Sequence, residues 1–141
     1  FANLQQYFSS FPDRPGVISR DNPRTGIYIL PNNQNQGVLD SILCQCGNKV
    51  YPEYMERSRN YINQFTEQER QQKPLKWKPF DPEKATIATI VSILKPGKTN
   101  TSSISDNDWI CKDTIKAVPE LRQFVDFLRE LLDIKIEIDS L

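Results

Sequence analysis

The chain contains no histidine among its 141 residues. This absence excludes Ser-His and Cys-His nucleophilic pairs, and it removes every histidine metal ligand. Metal chemistry would therefore depend on carboxylates, which suit a hard ion, and Mg²⁺ is the candidate cofactor. No complete catalytic constellation is visible in the sequence.

Cysteine is scarce, and no long hydrophobic run is present. The three cysteines, Cys44, Cys46 and Cys111, are an odd number without a signal peptide, which predicts free thiols and a cytoplasmic location. No apolar run approaches the roughly 18 to 20 residues of a membrane helix, so no membrane partner is expected. The chain begins with Phe1 rather than Met, which suggests that an amino-terminal segment is missing.

Net charge is also absent, because 18 basic residues balance 18 acidic residues. A neutral domain is not an obvious nucleic-acid binder. The distribution is nevertheless uneven, since residues 66–98 hold seven Lys or Arg against four Asp or Glu. Lys73, Lys76, Lys78 and Lys84 could form a local basic face for nucleic acid; the alternative is a solvated helix end and loop.

The length and the 38% hydrophobic content fit a single domain over residues 1–141. The pattern predicts an α/β fold in which four or five helices pack on a small sheet. The sheet would contain a hairpin over residues 17–30 and a short edge strand over 134–138. Residues 27–30 are β-branched and aromatic between turn formers and Pro31, and they predict a central strand.

Apolar residues at helical spacing predict helices in four further segments. The first spans residues 38–46 and stops at Gly47 and Asn48. The second begins near Pro52. The third begins at Asp81 as a cap and ends near Pro96. The last begins near Pro119. Residues 98–108 are predicted to be a polar loop.

Three segments, in order, carry a family resemblance. They are residues 26–40 (Gly-Ile-Tyr-Ile-Leu-Pro-Asn-Asn, then Gly-Val-Leu-Asp), residues 83–85 at a helix start, and Trp109 before a last helix rich in Leu and Phe. Together they resemble the carboxyl-terminal portion of an uncharacterised TOPRIM-like family of bacteria and archaea, distantly similar to OLD-type nuclease domains. The resemblance covers most of residues 1–133.

The resemblance implies a TOPRIM-like fold and Mg²⁺-dependent, nuclease-type phosphodiester chemistry in the full-length protein. In that family the strand ends in Pro-Asp-Asn and the helix carries Gly-x-Leu-Glu. Here Asn32 replaces the aspartate and Asp40 replaces the glutamate. The hallmark TOPRIM carboxylates would lie upstream of residue 1, so the resemblance implies a fold more than an activity.

Three residues are the candidate site. Asp40 and Asn33 are predicted metal ligands, and the resemblance assigns Lys84 a catalytic role in neutralising phosphate charge. Each has a plainer alternative: a solvated aspartate at a helix amino end, an asparagine in a turn, and an exposed helical lysine. Asp106 and Asp108 follow no hydrophobic strand, so we interpret them as a loop or cap before a buried Trp109.

The sequence is compatible with three functions. The first is a Mg²⁺-dependent nuclease whose remaining carboxylates lie upstream or on a partner chain. The second is a non-catalytic module that binds protein or nucleic acid, which the changes at Asn32 and Asp40 favour. The third is a homo-oligomer that uses apolar surface near Tyr51, Tyr54 and Tyr61.

Overall fold

The computed structural model describes residues 2–135. It is mostly helical and contains one small two-stranded antiparallel sheet, which confirms a small α/β fold at that level. The described helices outnumber the four or five expected: α1 Ala2–Gln5, α2 Leu39–Val50, α3 Pro52–Ile62, α4 Glu67–Gln71, α5 Asp81–Leu94, α6 Asn100–Asp106, α7 Lys112–Ala117 and α8 Pro119–Leu131. None of the helices in this part of the chain is both long and apolar enough to cross a membrane.

The chain divides into two compact units. The first unit combines the residues up to Gln36 with those from Pro119 onward, and the second unit comprises Gly37–Val118. The single domain over residues 1–141 stays a prediction.

In the first unit, the predicted hairpin is present but much shorter than expected. Strand β1 (Ile18–Ser19) pairs with β2 (Thr25–Gly26), so that Ile18 faces Gly26 and Ser19 faces Thr25. The prediction of a central strand over residues 27–30 is wrong. Ile27 still exchanges backbone hydrogen bonds with Gly16 and Val17, but no further strand lies beside this segment within residues 2–135.

Aromatic packing holds the segment after β2 in place. The Tyr28 ring packs against Phe124 and Phe127 of α8, at centroid distances of 5.2 and 5.0 Å. Gly26 allows this approach, because a Cβ atom there would lie 2.7 Å from Cζ of Phe127. Helix α8 begins at Pro119 as predicted, and its amphipathic pattern buries Leu121. The predicted edge strand over 134–138 extends beyond the described residues, and Ile134 is not in a strand.

In the second unit, α2, α3 and α5 pack around Trp109, which is 0% exposed. The starts predicted at Pro52 and at the Asp81-Pro82 pair are confirmed. Asp81 is the first helical residue rather than the cap, and its carboxylate instead accepts a hydrogen bond from the Lys78 amide. The core joins α2, α3 and α5 through Leu43, Cys44, Met55, Ile87, Ile90, Val91 and Trp109.

Two predicted boundaries in this unit are wrong. Helix α2 does not stop at Gly47 but continues to Val50. The glycine there allows close packing and does not mark a helix end. A Cβ atom at Gly47 would lie 2.7 Å from Sδ of Met55. Residues 98–108 are not a loop either, since Thr99 caps α6 by accepting a hydrogen bond from the Ser102 amide at 3.2 Å.

Candidate functional site

Asn33 lies in a turn of the first unit. Its φ of 64° is in the left-handed region, and its Oδ1 accepts a hydrogen bond from the Ile29 amide at 2.8 Å. Asn32 Oδ1 similarly accepts from the amides of Gln34 and Asn35. The oxygens that would face a metal are therefore engaged in holding the backbone, as in the turns that asparagine favours. The metal-binding role of Asn33 stays a prediction.

Asp40 lies in the second unit, where the amino ends of α2 and α5 meet. Ser41 Oγ accepts a hydrogen bond from the Val38 amide at 3.1 Å and donates one to Oε2 of Glu83 at 3.0 Å. Asp40 is half-buried in the first turn of α2, and Glu83 is half-buried in the first turn of α5. Both carboxylates therefore lie at the amino end of a helix, where an acidic side chain stabilises the helix through its dipole.

Cys44 is buried beside Glu83, whose carbonyl oxygen lies 3.9 Å from its Sγ. Burial, followed by the negative charge of Glu83 and then that of Asp40, raises the pKa of the thiol to about 11, while Arg59 lowers it. A cleft of about 220 Å³ is lined by Cys44, Arg59, Asn63, Glu83 and Thr86 among others. Within residues 2–135, no group of three or more Cys, Asp or Glu residues could hold a metal.

Lys84 is exposed at the start of α5. Its Nζ forms an ion pair with Oδ1 of Asp81, three residues earlier in the same helix, at a distance of 3.2 Å. An exposed helical ion pair of this kind is weak, so the contact leaves the lysine able to exchange partners. Its catalytic role stays a prediction.

The buried thiols give a direct test of this packing. Burial raises the pKa of both Cys44 and Cys46 to about 11. Because the thiolate is the nucleophile, we expect these two thiols in the native protein to react at pH 8 at least about 100-fold more slowly than unfolded thiols. Mass spectrometry of iodoacetamide-treated protein, with and without urea, measures this. Half-buried Cys111 is the internal comparison; rapid native labelling of Cys46 would contradict the described core.

A second cluster lies around α4 and the basic loop, which we define as residues 72–80. Cζ of Arg70 lies 5.3 Å from the ring centroid of Trp77, and the Trp77 amide donates to the Arg70 carbonyl at 2.7 Å. Nη2 of Arg70 also donates to the Ile62 carbonyl and to Asn63 Oδ1. The guanidinium therefore holds Trp77, a half-buried residue of the basic loop, against α4. The same loop carries three exposed lysines, Lys73, Lys76 and Lys78.

The sequence identified these lysines but missed the residues that organise them. Arg70 and Trp77 come into contact only when the loop folds back onto α4. The Lys-Trp-Lys triplet at 76–78 is nevertheless visible in the sequence and indicates a basic and aromatic surface. Glu83 was also missed, because its partner Ser41 lies 42 residues away. Of the three tyrosines predicted to form an oligomer surface, Tyr54 and Tyr61 are exposed. The hydroxyl of the third, Tyr51, donates a hydrogen bond to the Asn107 carbonyl at 2.6 Å.

One comparison with known proteins identifies a family. A family model described as "Protein of unknown function (DUF3226)" matches residues 2–133. No curated protein and no solved structure matches the chain significantly. Because the family model spans nearly the whole sequence, the chain belongs to the DUF3226 family of proteins of unknown function.

Proposed function

We propose that this chain is a nucleic-acid-binding module, without catalysis of its own, that contacts phosphates through the basic loop and Lys84. The observation that carries the proposal is the combination of exposed lysines with a half-buried tryptophan on one loop. Clustered Lys and Arg attract the phosphate backbone, and an adjacent aromatic ring offers a surface for bases.

The acidic residues near the loop are already engaged. Asp81 accepts from the Lys78 amide and pairs with Lys84, and these contacts lower the pKa of its carboxyl. Hydrogen bonds from Thr66 similarly lower the pKa of Glu69. Lys73, Lys76 and Lys78 form no ion pair with any carboxylate that the structure describes. Their positive charge is therefore available to phosphate.

The zero net charge limits the expected affinity. Non-specific binding has dissociation constants of roughly 10⁻⁴ to 10⁻⁶ M at physiological salt and weakens as salt rises, because counterions are released. We expect this chain to fall at the weak end of that range. The three free thiols suit the cytoplasmic location predicted from the sequence.

Charge reversal in the basic loop tests the proposal. We expect Lys76→Glu/Lys78→Glu to weaken binding of a fluorescein-labelled oligonucleotide about 10-fold or more at low salt, because two phosphate contacts become repulsive. Fluorescence anisotropy at several salt concentrations measures the dissociation constant and its salt slope.

Lys112→Glu/Lys116→Glu is the matched control. Both lysines are exposed on α7, and the double change alters the net charge equally. An equal loss in both variants would mean that binding follows net charge rather than this surface. Absence of binding by the wild-type protein at low salt would refute the proposed function.

A second candidate function follows from the positions of Asp40 and Glu83. In this proposal the chain is part of a longer TOPRIM-like protein with Mg²⁺-dependent phosphodiester chemistry. Mg²⁺ is commonly bound by one or two carboxylates together with substrate phosphates, so Asp40 and Glu83 would bind the ion only together with phosphate oxygens. Lys84 would leave Asp81 to neutralise phosphate charge, and further carboxylates would come from upstream residues or from a partner chain.

Thermal unfolding with millimolar Mg²⁺ and a nucleotide phosphate distinguishes the two candidates. The metal proposal predicts stabilisation by Mg²⁺ that disappears in Asp40→Asn/Glu83→Gln and persists in Asp113→Asn, a control at an exposed position of α7. Mg²⁺ and Mn²⁺ should also support plasmid cleavage by the full-length protein. A thermal shift of zero and an intact plasmid at high protein concentration would leave only the binding module.

A further inference from the structure

The basic loop and α4 enclose a small concave pocket beside Trp77. Its volume is about 240 Å³, and its walls include Trp77, Pro79 and Pro82. Pockets for drug-sized ligands measure roughly 300 to 1,000 Å³, so this one suits a single flat ring system. Its rim is polar, because Gln71 Nε2 donates to Oε1 of Glu67 at 2.8 Å.

The pocket is held in a fixed shape by contacts of Arg70. Two side-chain hydrogen bonds and the packing over Trp77 restrain the guanidinium, and its buried Nε has no hydrogen-bond partner among the described residues. Lys76 has a φ of 46°, in the left-handed region that non-glycine residues seldom adopt. Such backbone strain is typical of binding sites and persists where the surrounding structure enforces it.

The charged residues around the pocket favour binding of a neutral ring inside it and of phosphates outside it. Lys78 lines the pocket, and its backbone amide donates to Asp81, the residue that pairs with Lys84. Glu67 lines the same pocket and repels a phosphate from the interior, so the pocket favours an uncharged ring and the lysines favour the phosphate backbone.

We infer that this pocket binds one unpaired base of a single-stranded nucleic acid, an inference that rests on the proposed nucleic-acid binding. The base would contact Trp77 and the proline rings while the flanking phosphates contact Lys78 and Lys84. Bases of a duplex are stacked on their neighbours and cannot enter, whereas unpaired bases stack readily on aromatic and Arg planes. The surface therefore selects single strands over duplexes.

Substitutions of Trp77 test this inference with three probes: an oligothymidylate of about 12 nucleotides, a duplex of similar length, and inorganic polyphosphate. We expect wild-type protein to bind the single strand at least about 10-fold more tightly than the duplex. Trp77→Ala should lose about 10-fold on the single strand, because one stacked base contributes roughly that factor, and should bind polyphosphate unchanged. Trp77→Phe should be intermediate.

Intrinsic fluorescence provides an independent signal. The chain has two tryptophans, and Trp109 is 0% exposed, so quenching by the oligothymidylate should disappear in Trp77→Phe. Circular dichroism checks that each variant is folded. If Trp77→Ala binds the single strand as wild type does while the lysine variant is weakened, this inference fails and the proposed function stands. If wild-type protein binds no probe, both fail.

Discussion

Trp109→Ala is expected to cause the largest loss of stability of any single substitution proposed for this chain. The side chain is 0% exposed, and its ring centroid lies 5.7 Å from that of Tyr51. Truncating a buried tryptophan removes its packing and leaves a cavity, at a cost of about 3–5 kcal/mol in the free energy of unfolding. Chemical denaturation followed by circular dichroism measures the change.

Two variants separate packing from hydrogen bonding at this position. Nε1 of Trp109 is buried without a hydrogen-bond partner in the described part of the chain, which is itself unfavourable. Trp109→Phe removes this group and keeps most of the ring, so we expect a smaller loss than for Trp109→Ala. Trp77→Ala, at a half-buried site, is the control; a loss as large as that of Trp109→Ala would contradict the described burial.

Gly47→Ala is expected to destabilise the protein although it places the best helix former inside a helix. Alanine gains about 1 kcal/mol over glycine in helix propensity. However, the added Cβ would lie 2.7 Å from Sδ of Met55 and 2.8 Å from Cζ3 of Trp109, and overpacking of a core costs about 1–3 kcal/mol. The flexible Met55 can yield, whereas the indole is rigid, so the overpacking cost exceeds the gain in propensity and we expect a net loss of up to about 2 kcal/mol.

Asn48→Ala provides the matched control for this prediction. It changes the neighbouring residue of the same helix, where the side chain is exposed, and alanine there gains propensity without a close contact. We expect this variant to be as stable as wild type or slightly more stable. A Gly47→Ala protein as stable as Asn48→Ala would show that α2 does not pack against Trp109 as described.

The helices were the most predictable part of the fold. The first turns of α3, α5 and α8 contain Pro52, Pro82 and Pro119. The preference of proline for the first turn of a helix arises from its own backbone, so residues that pack nearby do not alter it. Gly47 was misread for the opposite reason. Glycine often follows a helix end, but here its missing side chain accommodates Met55 of the next helix and Trp109 from a distant part of the chain.

The candidate sites were predictable only in part. The family resemblance pointed to Asp40 and Lys84, and the clustering of lysines in the sequence pointed to the basic loop. The Ser41–Glu83 hydrogen bond and the Arg70–Trp77 contact were missed. The first joins two helices 42 residues apart in the chain, and the second depends on a loop that folds back onto α4.

The sequence by itself determined that this chain has no histidine chemistry, where its main amphipathic helices begin, and that lysine is concentrated around a tryptophan. These properties follow from composition and from interactions between residues close in the chain. Only the tertiary structure decided that residues 27–30 lie outside the sheet, that Glu83 accepts a hydrogen bond from Ser41, and that Trp77 borders a pocket. A strand needs a neighbouring strand to pair with, and a site needs side chains brought together by packing, so neither can be read from local sequence alone.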